Sequence, residues 1–142
     1  MSAMVKVSVI IPVYNVAPYL GECLDSVIQQ SLKDIEIVCV DDCSTDNSSF
    51  LLKKYAESDI RIRLFYNERN RDLSFTRNRG LKESCGEYVF FLDSDDALYD
   101  NEVLKELYII AEQDDAELVS GRTLNWFPDE SGKESRRPSG LR

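Results

Sequence analysis

Histidine is absent from all 142 residues, and glycine is scarce, with six. Without an imidazole the chain has no Ser-His or Cys-His pair to activate a nucleophile. A zinc site is disfavoured too. Cys23, Cys39, Cys43 and Cys85 have neither histidine partners nor paired C-x-x-C spacing. Cys39 falls in a strand-like run and Cys23 on a helix-like apolar face, so they read as small core residues of a reduced, cytosolic protein. No G-x-G-x-x-G follows the first apolar run, which removes the backbone cradle that a dinucleotide fold offers a pyrophosphate. No apolar stretch has the length of a membrane span or the form of a signal peptide. Basic residues are outnumbered 17 to 26, a formal charge of −9. That balance argues against nucleic acid or an anionic membrane as the main partner.

What is present is an alternation of strand and helix patterns. Val5 to Ile11 is an apolar, β-branched run ended by Pro12. Pro18 can open a helix whose stripe is Leu20, Cys23, Leu24, Val27 and Ile28. Ile35 to Val40 is a second strand, and Ser44 to Asn47 offer caps for a helix carrying Leu51, Leu52, Tyr55 and Ala56. Ile62 to Tyr66 is a third strand. Ser74 can cap a short helix reaching about Ser84, and Gly86 turns the chain into a fourth strand, Tyr88 to Leu92. A helix from about Asn101 to Gln113 and a fifth strand, Glu117 to Ser120, follow. This order predicts an α/β fold, a Rossmann-like, mostly parallel sheet with helices on both faces. One domain is expected over residues 1–126, with a disordered or displaced tail over 127–142, where Pro, Gly, Ser and charges show no periodicity.

The fourth strand stops abruptly in Asp93, Ser94, Asp95 and Asp96. Carboxylates this close repel one another unless a divalent cation or hydrogen-bond donors hold them. Oxygen ligands point to Mg²⁺ or Mn²⁺, and a helix-capping acidic turn is the plain alternative. If the strands are parallel, two more polar clusters share the same carboxyl rim: Pro12-Val13-Tyr14-Asn15 and Asp41-Asp42. Ligands of open α/β sheets bind at that rim. Tyr14 offers a stacking face, a carboxylate at the second strand end can accept from a base N–H or ribose hydroxyl, and acids holding a cation can neutralise a diphosphate. The inference is a nucleoside diphosphate bound through metal. Six arginines between Arg61 and Arg79 against Glu68 and Asp72 give a local balance of +4, either an anion-receiving strip or a solvated face.

Four stretches resemble the family-two glycosyltransferases of GT-A fold. They are Val7 through Asn15, Val40 through Asp46, Thr76-Arg77-Asn78-Arg79-Gly80-Leu81, and Gly86-Glu87-Tyr88 running into Asp93-Ser94-Asp95-Asp96. The resemblance covers about residues 4 to 121 in the right order. It implies that Pro12 and Tyr14 line the uracil pocket with Tyr14 stacking, and places Asn15 and Ser94 in the nucleotide site. It implies that Asp42 accepts from the uracil N–H while Asp41 is structural. Asp93 would reach the ribose or the metal's water shell, Asp95 would be the direct ligand of Mn²⁺ or Mg²⁺, and Arg77 would lie near the diphosphate or pair with a pocket carboxylate. Each has an ordinary alternative: Pro12 as a strand end, Tyr14 as a core aromatic, Asp42 as a helix cap, Arg77 as a surface ion pair. Cys43 stands where the family commonly has glycine, and the family often has glycine near Asp72.

The implied function is metal-dependent, inverting transfer of a sugar from a nucleotide sugar, UDP-linked by expectation, to a glycan or lipid-linked acceptor in polysaccharide biosynthesis. Nothing after Gly121 resembles the family's carboxylate base, so the chain is expected to carry the donor-binding half. Peripheral membrane association through the acceptor, at the inner face, and a homodimer formed through exposed apolar surface complete the expected partners. The competing readings are a haloacid dehalogenase type phosphohydrolase, whose D-x-D normally follows the first strand, and a nucleotide-binding module without turnover.

Overall fold

The computed structural model describes residues 4–128 and 134–138, and the side chains of residues 4–124. Elements run in the order β1 (Val7–Val13), α1 (Ala17–Ile28), β2 (Ile35–Asp41), α2 (Ser48–Ser58), β3 (Ile62–Tyr66), α3 (Leu73–Glu83), β4 (Tyr88–Phe91) and α4 (Val103–Asp114). A two-stranded antiparallel hairpin follows, β5 (Leu124–Pro128) with β6 (Glu134–Pro138). The main sheet is wholly parallel in the order β3-β2-β1-β4. Successive strands step one way from β1 to β3, then β4 joins on the far side of β1. That reversal leaves a crevice at the carboxyl ends of β1 and β4.

Side-chain alternation divides the core. Val7, Val9, Ile11 and Val13 of β1 pack with Leu20, Cys23, Leu24 and Val27 of α1, Leu52 of α2 and Leu104 of α4. Ile10 points the other way, with Val38, Val40 and Phe65. On that side α3 approaches so closely that a Cβ on Gly80 would stand 2.4 Å from Ile10 Cγ2. Helices thus cover both faces, three on one and α3 on the other.

Several boundaries move. Pro12 lies inside β1. Ile10 accepts from the Leu92 N–H on the β4 side and Val13 from the Asp42 N–H on the β2 side. The Pro12 nitrogen therefore faces the side where the β4 ladder has already ended, and its missing donor costs nothing. Helix α3 starts one residue before the expected cap, because Asp72 accepts from the Phe75 N–H in place of Ser74. The fifth strand expected at 117–120 is absent: α4 closes at Asp115 with φ 47, and the next residues run free with Leu118 88% exposed. A short apolar pair without a partner strand has no ladder to join. Residues 124–128, at the expected domain boundary, enter the hairpin instead, with 134–138 from the stretch read as structureless.

Candidate functional site

The crevice holds a cavity of about 430 Å³ lined by Pro12, Tyr14, Asp42, Asp72, Thr76, Asp93, Ser94 and Asp95, with Val13, Val16, Asn70 and Leu73. The ends of β1, β2 and β4 and the first turn of α3 converge on it. A somewhat larger hollow of about 510 Å³ lies between α1 and the segment after β4. Its ionisable walls are Glu22, Asp25 and Asp100 with no cation, so it would repel an anion.

At one end, Pro12 is buried and Tyr14 is 48% exposed at the rim, so Tyr14 is not a core aromatic. Asp41 and Asp42 divide their tasks. Asp41, buried, accepts from the Ser44 N–H at 3.1 Å and from the Ser49 hydroxyl, fixing the loop into α2. Asp42, also buried, takes no part in capping α2; its Oδ1 accepts from Asn67 Nδ2 and from the Arg71 N–H, both at 2.8 Å. Asn67 was not singled out by sequence. It is the polar residue just beyond the third strand, where the same strand-end logic would have found it.

Asn15 does not line the cavity. Its φ is 49, its Oδ1 accepts from the Thr45 N–H at 2.8 Å and the Asp46 N–H at 3.2 Å, and its own N–H donates to Ser44 Oγ. Asp46 Oδ2 in turn accepts from the Ala17 N–H, and Ser48 Oγ from the Val16 N–H. The start of α1 is therefore capped from the β2–α2 loop, and Asn15 braces that pair of loops.

At the other end stand the acids. Carboxylate oxygens of Asp93, Asp95 and Asp96 lie within 4.8 Å of one another. Burial, then the charges of Asp95 and Asp93, pushes the Asp96 carboxyl up. Arg77 Nη2 donates to Asp93 Oδ1 at 2.6 Å, while its buried Nε has no partner. Beneath them Cys23 Sγ approaches the Asp93 carbonyl at 3.7 Å. Its thiol is pushed up to about 12, by burial first and then by the Asp96, Asp95 and Asp93 carboxylates, so it stays a neutral donor. Ser94, buried, completes this wall. A donor set of three carboxylates fits a hard divalent cation. The arginine run does not form one strip, because Arg61 pairs with Asp59, Arg63 with Glu36 and Arg77 with Asp93.

The chain matches the family model Glycosyl transferase family 2 over residues 8–140 and belongs to that family. The glycosyltransferase GlyG of Streptococcus pneumoniae is 36% identical over 125 residues, covering 88% of this chain and 40% of GlyG. The structure of S. aureus TarS in complex with UDP-GlcNAc matches with a TM-score of 0.71 at 36% identity, covering 76% of this chain and 31% of that one. The mannosyltransferase PcManGT from Pyrobaculum calidifontis, in complex with GDP-Man and Mn²⁺, matches with 0.66 at 29% identity, covering 72% and 31%. The chain thus spans 40% or less of each of these relatives. Family membership sets aside the phosphohydrolase reading. Among the described residues no helix is long and apolar enough to cross a membrane.

Proposed function

We propose that this chain forms the donor site of an inverting glycosyltransferase that passes a sugar from a UDP-linked donor to a glycan or lipid-linked acceptor. The observation that carries the reading is one cavity with an aromatic rim and a buried acceptor carboxylate at one end and three clustered carboxylates at the other. Uracil would stack on Tyr14 and donate its N–H to Asp42, with Pro12 as the pocket floor. Asp93, Asp95 and Asp96 would hold Mn²⁺ or Mg²⁺, which when bound supplies positive charge beside the diphosphate. Arg77, already against Asp93, brings a second positive charge to that end. In the transfer the acceptor oxygen would bond to the anomeric carbon as the bond to the diphosphate breaks, the electron pair leaving on the diphosphate and the hydroxyl proton passing to a general base outside the donor site. A lipid-linked acceptor would bring the chain to the cytoplasmic membrane surface.

Calorimetry with UDP tests this. Binding is expected to weaken with EDTA in wild type, and Asp95→Ala is expected to abolish that metal dependence. Tyr14→Ala should weaken uridine and UDP alike by about 1–3 kcal/mol, the worth of a base–aromatic stack. A UDP affinity indifferent to EDTA would overturn the metal reading.

A further inference from the structure

We propose that Asn67 is a positioning residue that sets the base preference of the donor site by fixing how Asp42 presents its carboxylate. The proposal rests on the reading of Asp42 as the acceptor of a base N–H. Asn67 is the first residue beyond β3, 6% exposed, and its own N–H is held by the Asp41 carbonyl at 2.9 Å. Its amide makes three side-chain contacts: Nδ2 to Asp42 Oδ1 at 2.8 Å, Nδ2 to Thr76 Oγ1 at 3.0 Å, and Oδ1 to Arg79 Nη1 at 2.9 Å.

These contacts admit one arrangement of donors. A guanidinium only donates, so the face of the amide toward Arg79 must be its oxygen. Arg79 is anchored in turn on the Tyr66 carbonyl. Thr76 spends its hydroxyl proton on the Asp72 carbonyl at 2.7 Å, so toward Asn67 it can only accept. The amide nitrogen is therefore aimed at Asp42 from both sides of the network, and Asp42 must receive it as an acceptor. The second donor to Asp42, the Arg71 N–H, falls on the same oxygen, Oδ1. With both donors on Oδ1, Oδ2 would be the oxygen offered to a base in the cavity that Asp42 lines.

An ionised carboxylate held this way suits a base that offers an N–H, as uracil does at its ring N3. It repels a base that presents a lone pair there, as cytosine does. A site built to accept from an N–H discriminates strongly against an analogue lacking it, because the buried acceptor is left unpaired. Discrimination then depends on Asp42 keeping its orientation as an acceptor, which is what Asn67 and its neighbours supply.

The test compares UDP and CDP binding by calorimetry for the 142-residue chain, with thermal unfolding to confirm the fold of each variant. Asn67→Asp keeps the shape but sets a second carboxylate against Asp42, so the pair must share a proton. The UDP-over-CDP preference is expected to fall about tenfold or more. Thr76→Val, isosteric but without the acceptor oxygen, should lower the same ratio, while Thr76→Ser, which keeps the hydroxyl, should retain it. Equal weakening of UDP and CDP in these variants would mark a purely structural role and overturn the proposal. So would an Asp42→Asn that relaxes the preference while Asn67→Asp and Thr76→Val do not, and that result would leave the proposed function standing. An Asp42→Asn that leaves the preference untouched would remove the base contact itself, and the proposal with it.

Discussion

Two residues that depart from the family pattern sit on the same kind of backbone. Cys43 has φ 63 and Asp72 has φ 75, a region where a side chain crowds the chain and glycine does not. A glycine at the Cys43 position, as in the resembled family, thus has a conformational reason. Relief of crowding is worth about 1–2 kcal/mol per residue, against roughly 0.4–1 kcal/mol lost to the freer unfolded chain. Cys43→Gly is therefore expected to be neutral or stabilising, by up to about 1 kcal/mol in a denaturant titration. A loss larger than that would show that the Cys43 side chain holds the loop. Asp72→Gly should gain less, since the Asp72 side chain also accepts from the Phe75 N–H. At this scale residue types were more legible than roles. Asn15, polar and beside Tyr14, reads as a ligand contact, yet its side chain is occupied by the Thr45 and Asp46 backbone. That pairing lies between residues about thirty apart, which no local pattern reveals.

Helix α3 joins the core to the site. Its buried Gly80 rests on Ile10, and about one turn earlier Thr76 and Arg77 reach Asn67 and Asp93. Gly80→Ala would place a Cβ 2.4 Å from Ile10 Cγ2, so the helix must lift off the sheet. The expected cost is about 1–3 kcal/mol, typical of overpacking, seen as a lower Tm. UDP affinity should fall with it, because the shift displaces Thr76 and Arg77 together. An unchanged Tm would mean that Ile10 simply rotates away. Strands and helices up to α4 were legible because each carries its own period of apolar residues, Leu20, Cys23, Leu24 and Val27 in α1 being the plainest case. The strand expected at 117–120 rested on only two adjacent apolar residues, Leu118 and Val119, and a strand exists only with a neighbour, which topology sets.

Across the molecule, the sheet carries polar chemistry at both ends. Opposite the site, Glu36 at the start of β2 accepts from Ser8 Oγ at 2.5 Å, from the Cys85 N–H at 2.6 Å and from Arg63 at 2.8 Å. Burial alone would raise this carboxyl, but the bonds from Ser8, Cys85 and Arg63 outweigh it and hold the group below its ordinary value. A carboxyl lowered by folding contributes stability above its unfolded value, and that contribution is lost as pH falls through the folded one. Glu36→Gln is accordingly expected to cost about 1–3 kcal/mol near neutral pH, as for a disrupted buried hydrogen-bond set. The gap to wild type should narrow below about pH 4.3, the ordinary glutamate value. A gap independent of pH would assign the cost to packing alone.

The strand that bears the acids is also the one recruited from farthest along the chain. β1 pairs Val7 with Ile35 of β2, but with Tyr88 of β4. β4 has four residues, lies at the sheet edge, and leaves Val89 and Phe91 partly exposed, with Phe91 at 47%. A short edge strand with little buried surface opens more readily than the seven-residue strands beside it. The amides of Tyr88 and Leu92, which bond back to Lys6 and Ile10, should exchange with solvent deuterons sooner than those inside β1 and β2. Addition of UDP with Mn²⁺ should slow them in proportion to site occupancy. Equal protection of all four strands without ligand would refute this. It follows that an affinity measured for the donor already contains the free energy of seating β4. A substitution anywhere along that strand can weaken donor binding without touching a single group that meets the nucleotide.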